Sequence, residues 1–161
     1  MDADIGEIAA YRLTDRHADD AAQVPDLLRR PEGIIGSVIA DCAYDGHPVH
    51  KAAAARQPGR PPDVVIPPRA PAVPSTADPD EQAPRDRHLQ LMAERDRMGW
   101  QRATGYGRRN RAETTIGMYK HLIGQKLHAR TCPGQQGEAA IAVALLNRMI
   151  RQAKPVTMRR R

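Results

Sequence analysis

Four residues between positions 106 and 120 are of types that handle phosphate chemistry: Tyr106, Arg109, Glu113 and Lys120, spaced Tyr-x2-Arg-x3-Glu-x6-Lys. On an α-helix, at about 100° per residue, all four fall within an arc of roughly 60°. One face then presents an aromatic hydroxyl, a guanidinium, a carboxylate and an ammonium. The same spacing also describes a solvated polar stripe with an Arg109–Glu113 pair at i, i+4, worth about a few tenths of a kcal/mol. Asp41 is a second carboxylate of interest. It ends the apolar run Ile34 to Ala40, and the carboxyl end of a buried strand is where α/β proteins keep their sites. Two carboxylates from different elements can hold Mg²⁺, a hard ion that prefers oxygen. A pair of such ions activates an attacking oxygen and stabilises a leaving one in phosphodiester chemistry. Asp41 also reads as a strand-end turn residue, because Tyr44-Asp45-Gly46 follows.

The elements that must position these groups are legible as local patterns. Asp2 to Gly6 is turn-like and leads into Ile8 to Thr14, which reads as a short strand. Asp19 and Asp20 suit a helix start, Pro25 fits a first turn, and Val24, Leu27 and Leu28 recur at helical spacing. Ile34 to Ala40 is a continuous apolar run, the signature of a strand buried in a parallel or mixed sheet. Pro48 to Arg56 is alanine-rich and reads as a helix, and Asp63 to Ile66 as a second buried strand stopped by Pro67-Pro68. Residues 67–85 form a proline-rich loop. Helices are expected over Asp86–Trp100, from about Arg108 to Lys126, and over Gly137–Gln152. Residues 1–152 are expected to form one domain, with 153–161 a basic tail.

Composition narrows the class. The 161 residues hold no Phe and one Trp, so a core must come from Leu, Ile, Val, Met and Ala. No stretch approaches the roughly 18 apolar residues of a membrane span, and the acidic Met1-Asp2-Ala3-Asp4 start is not a secretory signal. A cytoplasmic location and no membrane partner are expected. Cys42 and Cys132 lack metal-ligand spacing and read as reduced thiols. The charge is uneven. Residues 1–84 carry 8 Lys/Arg against 14 Asp/Glu, and residues 85–161 carry 17 against 5, a balance of +12. Such a half suits a polyanion, because each neutralised phosphate releases counterions; a solvated basic face is the plainer reading.

Taken together these residues resemble the DDE transposases of bacterial insertion sequences. Tyr106, Arg109, Glu113 and Lys120 match the signature of a large group of them in full, and Ala40-Asp41-Cys42-Ala43-Tyr44-Asp45 resembles the segment holding that group's second catalytic Asp. The likeness continues through Val65-Ile66-Pro67-Pro68-Arg69, Trp100, Tyr106-Gly107-Arg108-Arg109 and Leu146-Asn147-Arg148. It implies an α/β, RNase H-like fold, a mixed sheet flanked by helices. It implies Asp41 as the second acid and Glu113 as the third, both holding Mg²⁺ or Mn²⁺. Tyr106, Arg109 and Lys120, with Arg108 and Arg111 beside them, are the expected DNA contacts. Asp41 and Glu113 are expected to face each other across one cleft.

The resemblance also implies a carboxy-terminal part only, a truncated domain lacking the first two strands and the first Asp. Asp2 and Asp4 look like turn residues, and Cys42 stands where the family commonly has Gly. Ile8–Thr14 would then be separated from the other two strands, leaving an apolar edge unpaired. The expected partners are transposon-end and target DNA, and either a second copy of the chain or the missing amino-terminal part. Two functions remain open. One is a truncated or split-frame piece of an enzyme that nicks element ends and transfers strands. The other is a non-catalytic DNA-binding or inhibitory remnant.

Overall fold

The structure, a computed structural model, describes residues 1–15, 17–74 and 79–153, and no side chains from 79 to 83. The tail expected from 153 onward therefore lies, but for its first residue, outside the described residues. The chain divides into two compact units, Thr14–Arg109 and Met1–Leu13 with Asn110–Arg161.

The Thr14–Arg109 unit is organised by a parallel pair of strands. β1 (Ser37–Ile39) and β2 (Asp63–Val65) pair with Val38 opposite Val64. Both fall inside the apolar runs read from sequence. The runs are longer than the strands: Ile34 is 72% exposed, while Ala40 N–H still donates to Val65 O at 3.3 Å. α2 (His47–Arg56) makes the crossover, with a proline in its first turn. Its Val49 and Ala53, at i and i+4, join Val64 and Ile66 in the core, against which Val24, Leu28, Val38, Ala40 and Tyr44 pack. α1 (Val24–Arg29) lies against α2. Arg56 of α2 donates to the carbonyls of Leu28, Pro31 and Gly33, satisfying the end of α1. This strand–helix–strand unit is the part of the α/β expectation that is present.

α3 (Pro79–Thr104) starts inside the stretch expected to be loop. It is two helical segments joined at Asp96, whose φ of 59° breaks the helix; the Asp96 carboxylate accepts from Gly99 N at 2.8 Å and so caps the second segment. Across this fold-back Trp100 returns towards His88. A short 3-10 turn, Tyr106–Arg109, follows Gly105, which has φ +68°.

The Ile8–Thr14 expectation, which falls in the other unit but for Thr14, fails, because among the described residues the segment joins no ladder. Side chains hold its beginning instead. Asn147 donates to Ile8 O at 3.0 Å and accepts from Ile8 N at 2.8 Å, as a strand neighbour would. Glu7 accepts from Arg151 Nε and Nη2, and Thr115 donates to Gly6 O. α4 (Asn110–Leu122) is shorter than expected. α5 (Cys132–Gln152) begins earlier, because Thr131 caps it and Pro133 suits its first turn. Ala139, Ala142, Val143 and Leu146 form its buried face. Among the described residues no helix is long and apolar enough to cross a membrane.

Candidate functional site

Asp41 stands just past β1, in extended backbone, as the cap of a 3-10 turn over Cys42–Tyr44. Its carboxylate has two partners. Oδ1 accepts from Ala43 N at 2.9 Å, the bond that a turn-forming Asp makes. Oδ2 accepts from Arg109 Nη2 at 3.2 Å, with the two side chains 41% and 28% exposed. The turn bond and the Arg109 bond are thus made by different oxygens of one residue.

Arg109 is brought to Asp41 by the 3-10 turn. At three residues per turn Tyr106 and Arg109 eclipse one another, so Tyr106 lies above Arg109. The expectation of one α-helical face for all four signature residues is corrected accordingly. Tyr106 and Arg109 belong to the 3-10 turn, and the α-helix starts at Asn110. The Tyr106 ring packs on Trp100, with centroids 5.0 Å apart. Burial raises the Tyr106 hydroxyl pKa, with the Arg109 charge pulling it down and Asp41 pushing it up, so the hydroxyl is neutral and can donate. Trp100 is fully buried and donates from Nε1 to His88 Nδ1 at 3.0 Å; His88 Nε2 lies 2.7 Å from Val64 O on β2.

A second buried cluster lies beyond Asp41. Asp45, whose place in Tyr44-Asp45-Gly46 predicts a turn, is buried. Its carboxylate accepts from Arg85 Nε and Nη2 and from Arg69 N. Arg69 also donates to the carbonyls of Cys42 and Ala43, and Arg85 to Val73 O. The proline-rich segment after β2 is thereby pinned to the turn that carries Asp41. The Asp45–Arg85 pair joins residues 40 apart, which no local pattern reveals. His50 Nε2, 3.8 Å from Asp45 Oδ1, is buried without a hydrogen bond among the described residues. Burial holds the His50 pKa below its usual value, against the pull of Asp45.

Of the remaining expected residues, Glu113, Lys120 and Arg111 lie in the other unit and Arg108 in the Thr14–Arg109 unit. Glu113, in the first turn of α4, and Lys120, in its last, are exposed and two turns apart on one face. Arg111 donates to Ala3 O and Asp4 O, so it fastens the amino-terminal turn. In that turn Asp2 Oδ1 accepts from Asp4 N and Ile5 N. Arg108 is exposed. Cys42 and Cys132 are free and exposed. Among the described residues no group of three or more His, Cys, Asp or Glu side chains is gathered as a metal centre.

The family model described as the transposase DDE domain matches residues 1–148. No solved structure matches the chain.

Proposed function

The chain belongs to the transposase DDE-domain family, and from that premise we propose that it supplies the second and third acids of a metal-dependent enzyme that nicks DNA at the ends of an insertion sequence. The freed 3′ hydroxyl then attacks target DNA. The observation that carries this reading is Asp41 at the carboxyl end of β1 in a parallel strand–helix–strand unit, inside the matched region.

Asp41 suits a hard cation such as Mg²⁺ or Mn²⁺. It is a partly exposed carboxylate whose oxygens each accept one hydrogen bond and keep acceptor capacity. Glu113 offers the same donor type. A divalent metal, which Asp41 and Glu113 would hold, would supply charge stabilisation at the attacking and leaving oxygens of the phosphodiester. The chain's own residues bind and orient. Tyr106, neutral and half-buried, donates to a phosphate oxygen; Arg108 and Lys120 add positive charge; Arg109 holds Asp41 and faces the same backbone. Arg111 contributes charge while tied to Ala3 and Asp4.

The first acid is assigned to a segment outside residues 1–161, because the Asp2 carboxylate is spent on a turn. RNase H-like architecture belongs to this proposal too. The chain alone is therefore expected not to nick. The test is an assay with Mg²⁺ or Mn²⁺ on DNA carrying the element's ends, with and without a co-expressed segment bearing the first strand and its Asp. Nicking that needs the added segment, and disappears in Asp41→Asn, supports the reading. Nicking unaffected by Asp41→Asn sinks it. One observation favours a non-catalytic DNA-binding role, the Arg109 cation lying against Asp41; end binding with no nicking in the complemented protein is its signature.

A further inference from the structure

We infer that His88 is a positioning residue for Asp41, acting through Trp100, Tyr106 and Arg109. The inference rests on the reading of Asp41 as a catalytic acid for its consequence in catalysis, but the coupling itself stands on geometry alone.

The starting point is the edge of β2. Asp63 N donates to Gly36 O and Ala40 N donates to Val65 O. Residues 63 and 65 thus bond towards β1, and the carbonyl of the intervening Val64 points to the opposite edge. His88 closes that edge, with Nε2 at 2.7 Å from Val64 O. Its other ring nitrogen receives the Trp100 indole N–H. An indole is a donor only, so Nδ1 must carry the lone pair, and Nε2 must carry the hydrogen given to Val64. Both bonds exist only for that one neutral tautomer.

The ring is therefore a two-ended link with a defined direction, between a strand of the parallel pair and a fully buried indole. From there the contacts run outward. Trp100 is the only tryptophan and is fully buried, with its ring against Tyr106. Thr104 Oγ1 donates to Trp100 O, steadying the segment between them. Tyr106 begins the 3-10 turn that ends at Arg109, and Arg109 bonds Asp41 Oδ2. Asp41 is thus held from two sides. β1 carries its backbone, and the His88 link to β2 sets the turn that fixes its side chain.

The test uses the full chain. His88→Leu removes both bonds at similar bulk. His88→Gln keeps one donor and one acceptor in a single side chain. Two readouts need no activity: emission and acrylamide quenching of Trp100, and the NMR resonances of the Asp41 carboxyl carbon and the Arg109 Nε–H. His88→Leu is expected to expose Trp100 and to move the Asp41 and Arg109 resonances in the direction seen in Arg109→Ala, and His88→Gln to restore both.

Movement of Trp100 alone, or a Gln variant that behaves like Leu, overturns the inference. If His88→Leu does not fold, Trp100→Phe decides, since it deletes the indole N–H, with part of the ring's bulk, and keeps an aromatic ring on Tyr106. The Asp41 resonance must move, and an unmoved one overturns the inference. In the complemented enzyme His88→Leu should lower kcat about 10- to 100-fold, as loss of a group orienting a metal ligand does, with KM for DNA unchanged. Absence of nicking in the wild type would count against the proposed function and leave the resonance test intact.

Discussion

The two compact units solve the problem of holding backbone in different ways. In Thr14–Arg109, backbone pairs with backbone along β1 and β2, and side chains are then free to build networks around Asp41 and Asp45. In Met1–Leu13 with Asn110–Arg161, helix side chains stand in for a strand. Asn147 bonds both groups of Ile8, Thr115 bonds Gly6 O, and Arg111 bonds Ala3 and Asp4. The charge differs as well. The first unit holds 14 Lys/Arg and 14 Asp/Glu, and the second 11 against 5. A carboxylate fixed by a network and a surplus of cations are separate assets, and they fall in different units. Asp41 belongs to the neutral unit, while Glu113 and Lys120 belong to the basic one.

The largest expected effect tests whether each unit contributes an acid. In the complemented enzyme, Asp41→Asn and Glu113→Gln should each remove several kcal/mol of transition-state stabilisation, on the order of 10⁴-fold in rate at 1.36 kcal/mol per decade. Nicking that survives Glu113→Gln would confine the chemistry to the neutral unit.

Next is the anchoring of that unit. Trp100→Ala should cost about 3–5 kcal/mol, read as loss of amide-exchange protection in β1, β2 and α2. Equal loss throughout α5 would show that the units unfold as one.

A smaller effect is expected in the other unit. Asn147→Ala strands the Ile8 N–H and C=O and should cost about 1–3 kcal/mol, measured by urea unfolding. Asn147→Ala with wild-type stability would mean that water replaces the amide and that the strand substitution carries no energy.

pH separates the units further. His50 has its folded pKa lowered by burial, so the unfolded chain binds its proton first. Stability is then full above the unfolded value of about 6.5 and falls as pH drops below it. His50→Gln should flatten that fall in the Thr14–Arg109 unit. An unchanged pH profile would assign the loss to other groups.

The smallest effect concerns the basic unit. Lys120→Ala should weaken DNA binding uniformly across sequences and reduce the salt slope by about 1. A slope that does not change removes Lys120 from the DNA surface.

The alanine-rich helix, the strand before Pro67 and the presence of a helix over Gly137–Gln152 follow from periods of 3.6 and 2 that operate within a few residues. The face that α5 buries does not: Ile141 and Leu145 are exposed, while Ala139, Ala142, Val143 and Leu146 are buried. Asp41 at a strand end and the spacing of Glu113 and Lys120 come from the same short range. The failures have causes of longer range. Ile8–Thr14 has strand-like composition but joins no ladder, since a strand exists only where another lies beside it. The break at Asp96 was invisible because its neighbours all favour helix, and it takes the cap on Gly99 and the return of Trp100 towards His88 to show it.

The sequence by itself determined which residues are chemically able to serve a DDE transposase, where helix α2 and most of α5 lie, and that Asp41 follows a strand, although that strand is half-buried rather than buried. Only the tertiary structure decided that Arg109 bonds Asp41 across 68 positions, that Asn147 completes the backbone of Ile8, and that His88 links β2 to Trp100. Composition and period constrain neighbours along the chain. A hydrogen bond between distant residues depends on which surfaces the packed core brings together, and no local pattern encodes that.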